Sequence, residues 1–103
     1  MRGVTLRPRT KEYCDKWLTE NIPKMKGDVR KLMHAIAELE KEHPKRARNF
    51  VAFKLYWGLQ GEAPLTLTKL AERMDSTPAQ VHELWQRAYR MLRHTSHAWP
   101  ESK

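Results

Sequence analysis

An all-α fold, a small helical domain with a C-terminal helix-turn-helix, follows from three features of the sequence. Leu67, Leu70, Ala71 and Met74 recur at the three- and four-residue steps that put side chains on one helical face, with Thr66 ahead of them as an N-cap. Val81, Leu84, Trp85, Ala88 and Leu92 repeat the pattern further on. Between them, Thr77-Pro78-Ala79-Gln80 sets a capping Thr, a Pro at the first helical position and a Gln three residues after the cap. Two short helices joined by a tight turn make a helix-turn-helix.

Ala71 stands where two such helices would cross, and only a small side chain lets them approach closely. The turn needs a residue that tolerates positive φ. Asp75 is the candidate, because Asp is enriched in that conformation. An ordinary helical hairpin would share this periodicity. The helix-turn-helix is preferred because turn chemistry and packing positions agree.

The remaining elements follow in order. Residues 1–9 read as a flexible basic arm in which Pro8 opposes regular structure. Thr10 to Asn21 predicts a short helix with Tyr13, Trp17 and Leu18 as apolar contacts, ended by Ile22-Pro23. Residues 24–27 form a link whose flexible point is Gly27. Asp28 caps a helix reaching about Glu42. Its apolar stripe is Val29, Leu32, Met33, Ile36 and Leu39, while Arg30, Lys31, Glu38, Glu40 and Lys41 are solvated. Pro44 serves as the first residue of a helix running to Trp57, and Gly58 and Gly61 bracket a loop before Pro64. The chain divides into an arm and short helix (1–27), the helix-turn-helix domain (28–94) and a flexible tail (95–103). Trp85 belongs to the core, and Trp99 beside Pro100 is expected to be exposed.

Composition narrows the function. A chain of 103 residues, 40% hydrophobic and 31% charged, suits one small globular domain. No apolar run is long enough to span a membrane, and the basic N-terminus lacks the apolar segment of a secretory signal, so a cytoplasmic protein is expected. Cys14 is the single cysteine, which excludes an internal disulfide and a cysteine-rich zinc site. His34, His43, His82, His94 and His97 form no recognisable ligand set, and no nucleophile-base arrangement or Gly-rich phosphate loop appears. No enzyme activity, metal or cofactor is expected. The net charge of +8 favours polyanionic partners. It gathers in three places: Arg2, Arg7, Arg9 and Lys11; then Lys45, Arg46, Arg48 and Lys54; then Arg87, Arg90 and Arg93 at three-residue intervals.

From about Val29 to His94 the chain resembles region four of bacterial sigma factors, the domain that recognises the upstream promoter element. The resemblance is carried by IAELEKEHPKRARNFVAFKLYWGL, LTLTKLAERMDST and RAYRMLRH. In that family an aromatic-Gly-hydrophobic step precedes the helix-turn-helix, and here the step is Trp57-Gly58-Leu59. The close of the family's recognition helix is similar to Ala88, Arg90, Leu92 and Arg93. The resemblance covers about two thirds of the chain and implies a free-standing sigma-like regulator of transcription that binds double-stranded DNA. The implied DNA-facing set is Thr66, Thr68, Lys69, Thr77, Gln80, His82, Glu83, Gln86, Arg87, Arg90 and Arg93.

The start of the family's recognition helix carries Arg, Glu and Gln. Here the matching positions are Pro78, Ala79, Gln80, His82 and Glu83, with no Arg to grip guanine. Gln80 is left to bond adenine and His82 a base acceptor, with Arg87, Arg90 and Arg93 as phosphate or protein contacts. The same departure carries the rival expectation, a mimic of region four that docks on RNA polymerase without reading DNA sequence.

Overall fold

The structure, a computed structural model, describes residues 9–100. Those residues form five α-helices and no strand: α1 (Lys11–Asn21), α2 (Val29–Glu42), α3 (Ala47–Tyr56), α4 (Leu67–Arg73) and α5 (Pro78–His94). Short 3₁₀ turns stand at Pro23–Met25 and Pro44–Arg46. Of the expected basic arm, residues 1–8 lie outside the described residues, as do 101–103 of the expected tail.

Four of the helices begin on a side-chain cap. Thr10, Asp28, Thr66 and Thr77 each accept a backbone N–H, satisfying a donor that the first helical turn leaves open. At Asp28 the N–H of Arg30 donates to the carboxylate at 2.9 Å, and this bond holds the carboxyl below its ordinary pKa. The helix starting at Ala47 has no side-chain cap. Pro44 does not begin it as expected. The N–H of Arg46 instead closes a 3₁₀ turn on the carbonyl of His43 at 2.8 Å, so α3 starts at Ala47 and stops one residue before Trp57.

All five helices feed one core, with α5 packed chiefly on α3 and next on α4. Leu32, Ile36 and Leu39 enter from α2, Phe50 and Phe53 from α3, Leu70 and Ala71 from α4, and Val81, Trp85, Ala88 and Leu92 from α5. The inward stripe of α1 runs through Cys14 and Leu18, a four-residue step, so Tyr13 is half exposed rather than an apolar contact. Burial pushes the Cys14 thiol above its ordinary pKa.

An aromatic cluster joins α1, α3 and α5. Trp17 stacks on Trp57 with centroids 4.2 Å apart, Tyr56 stacks on Trp85 at 4.9 Å, and Trp57 meets Trp85 edge-on at 5.4 Å. The guanidinium of Arg9 lies 3.5 Å over the Tyr56 ring and donates to the carbonyl of Leu65, so this end of the expected flexible arm is anchored. Gly58 follows with φ +65°. A Cβ there would meet Pro64 at 3.0 Å and the Glu62 carbonyl at 3.1 Å, so the bend out of α3 requires glycine.

Three other expectations change. The link at 24–27 is pinned: Met25 is buried in the core, and Lys26 and Gly27 turn the chain at positive φ. Glu40, expected in solvent, pairs with Lys54 at 3.0 Å across α2 and α3. The tail is docked as far as the described residues extend, with Ala98 and Trp99 each 3% exposed. The Trp99 indole donates to the Leu92 carbonyl at 3.3 Å, and His97 meets the Glu42 carboxylate at 2.7 Å. Neither contact is visible locally, because each partner lies on another element.

Two substitutions test this packing. Trp99→Ala is expected to cost about 3–5 kcal/mol in urea unfolding, the usual loss for a buried Trp; an unchanged midpoint would mean an undocked tail. Ala71→Trp is expected to force α4 from its neighbours at an overpacking cost of roughly 1–3 kcal/mol, read as a lowered melting temperature.

Candidate nucleic-acid interface

The α4–α5 unit is built from its capping residues outward. Thr66 accepts the Lys69 N–H at 3.2 Å, which leaves Thr66, Thr68 and Lys69 exposed around the start of α4. After Arg73 the chain reverses: the Ser76 N–H reaches back to the Ala71 carbonyl at 2.9 Å and Asp75 sits at φ +54°. Asp75 thus occupies the left-handed position that the sequence assigns to it. Thr77 then caps α5, its hydroxyl accepting the Gln80 N–H at 3.2 Å while the Gln80 side-chain carbonyl accepts the Thr77 N–H at 3.1 Å.

That reciprocal bond alters the expected role of Gln80. Reading adenine needs both the carbonyl and the amino group of the side chain aimed at one base edge. Here the carbonyl is turned back to the helix start. The next turn carries a second polar pair, exposed His82 and half-buried Gln86, whose Nε2 atoms lie 3.1 Å apart, with the His82 ring edge-on to Trp85 at 5.6 Å. Glu83 is exposed and pairs with Arg87 at 3.1 Å and with Arg90 at 3.9 Å.

The three arginines of α5 do not act as one cluster. A three-residue step falls about 60° short of a full helical turn, so Arg87 and Arg93 point about 120° apart. Arg93 lies over the Tyr89 ring at 5.4 Å, and its carbonyl accepts from Lys24 at 2.7 Å, on the side of the first 3₁₀ turn. Arg87 and Arg90 turn the other way and line a hollow with Lys45, Arg46, Asn49 and Met91. A second hollow adjoins it at Arg87, lined also by Arg48, Ser76, Gln80 and Glu83. Two basic clusters far apart in sequence are therefore brought to one flank of α5.

Arg48 has a role that its place in a basic cluster conceals. Its guanidinium donates to the Met74 carbonyl at 2.8 Å and to the Ser76 hydroxyl at 2.5 Å, clamping the turn to α3. No sequence signal separates Arg48 from its basic neighbours, since the partner carbonyl is 26 residues away.

Among the described residues no group of three or more His, Cys, Asp or Glu side chains could hold a metal ion, and no helix is long and apolar enough to cross a membrane. His97 is engaged with Glu42 rather than with His94. On α5 the arrangement sets exposed hydrogen-bonding groups beside cations. Comparison with known proteins gives no match, whether to a protein-family model, a curated protein or a solved structure.

Proposed function

We propose that this protein is a DNA-binding regulator of transcription in which α4 and α5 act as a helix-turn-helix, in the manner of sigma factor region four. The observation that supports it best is the division of the α4–turn–α5 unit into two faces. Leu70, Ala71, Met74, Val81 and Trp85 are buried, whereas His82, Glu83, Arg87 and Arg90 are exposed on α5 and Thr66, Thr68 and Lys69 on α4. In this reading α5 enters the major groove and His82 and Gln86 address base edges. Arg87, with the exposed start of α4, takes phosphates. Thr77 and Gln80 hold the helix start in shape.

A His82→Ala, Gln86→Ala double variant tests the reading against a pool of random duplexes. Loss of roughly 1–3 kcal/mol of discrimination per good contact, with non-specific affinity largely kept, is the expected result. A wild type that selects nothing from the pool overturns base reading. The commitment of the Gln80 carbonyl to the cap favours a second reading, docking on RNA polymerase by a mimic of region four. Capture of purified polymerase by such an unselective wild type would support it.

Glu83 gives a separate check. Its carboxylate is the one that Arg87 and Arg90 share, so Glu83→Gln leaves both guanidiniums to phosphate. Tighter duplex binding at low salt is expected, with little change in stability, since exposed ion pairs contribute about 0–1 kcal/mol. Weaker binding would instead make Glu83 a base contact.

A further inference from the structure

Asn49 is the buried polar residue of the described core, 7% exposed, and its side-chain amide is not among the groups sealed from solvent without a partner. Asn49 lines the hollow formed by Lys45 and Arg46 on one side and Arg87 and Arg90 on the other. Lys45 and Arg46 are exposed and make no ion pair among the described residues. Arg87 and Arg90 share the carboxylate of Glu83. Like charges crowded this way repel one another in the free protein, and an anion seated among them reverses the sign of that interaction.

We infer that this hollow is a phosphodiester seat, in which the Asn49 amide and the flanking cations hold the backbone of one DNA strand. The choice of DNA rests on the function proposed above; the seat itself adds Lys45, Arg46 and Asn49, none of which belongs to the α4–α5 unit. Continuity favours a nucleic-acid backbone over an isolated anion. The hollow meets its neighbour at Arg87, so the two run along α5 from Ala79 to Met91, about 18 Å at 1.5 Å per residue. Phosphates advance about 3.4 Å along the axis per strand, so a track of that length spans several.

The test uses the full chain and a short random-sequence DNA duplex, with affinity measured over a series of salt concentrations. For Lys45→Ala with Arg46→Ala, the slope of log affinity against log salt is expected to fall in magnitude by about 2, one for each phosphate contact. Asn49→Leu is expected to weaken binding about tenfold with little change in melting temperature, because it exchanges an amide that lines the hollow for an apolar group of similar size. A merely structural Asn49 would show the opposite pattern, lower stability and unaltered binding. A double-variant slope equal to that of wild type overturns the seat, as does tighter capture of polyglutamate than of duplex. A wild type that binds duplex without sequence preference, and loses slope in the double variant, leaves the seat standing and removes base reading by α5. Absence of any duplex binding by wild type overturns both.

Discussion

The orientation of α5 depends on one indole. Trp85 stacks on Tyr56, meets Trp57 edge-on and lies within 6.0 Å of Trp17 and 6.4 Å of Phe53, so rings from two other helices and a helix cap converge on it. Pairs of this kind contribute about 0.5–1.5 kcal/mol each beyond the area they bury. The packing works against a penalty, because the indole N–H groups of Trp57 and Trp85 are both buried without a partner among the described residues. Each such donor costs about 1–3 kcal/mol. Once Trp85 is seated, the 3.6-residue period does the rest: Ala88 and Leu92 follow it inward while Arg87 and Arg90 are carried outward.

What could be read from the sequence was local. Asp28, Thr66 and Thr77 announce their helices because a cap acts on an N–H two or three residues away, whereas Thr10, expected within the first helix, proves to be its cap. The inward stripe of α5 is legible for the same reason, and Asp75 is marked by its tolerance of positive φ. What escaped was set by distant partners. Trp99 beside Pro100 looks like a frayed end until the Leu92 carbonyl and the core receive it. Glu40 looks solvated until Lys54 arrives from the next helix. At the candidate interface, the exposure of His82, Glu83 and Arg90 was legible, whereas Asn49 carries no signal at all. The separation of Arg93 from Arg87 lay within reach of the sequence, since it needs only the angle per residue.

The charge distribution acquires direction through pairing. Of 20 basic side chains in the sequence, several are matched well away from the flank of α5: Lys54 with Glu40, Lys11 with Asp15, Arg73 with Glu62. Exposed pairs of this sort add little stability. Their effect is on where positive potential remains, and Lys16, Lys45, Arg46, Lys69 and Arg93 are among the exposed cations that make no ion pair among the described residues.

The clamp from Arg48 to the turn has a thermodynamic consequence. A turn between two helices is ordinarily the segment that stiffens when a ligand arrives, and its ordering is charged against affinity. Here the Met74 carbonyl and the Ser76 hydroxyl are already held by a guanidinium rooted in α3, and Thr77 and Gln80 close the helix start from the other side. Under the proposed function, a partner approaching α5 would meet a turn already ordered during folding. Association of that kind would be a rigid-body event, with a heat-capacity change that reports the apolar area covered rather than the folding of a loop.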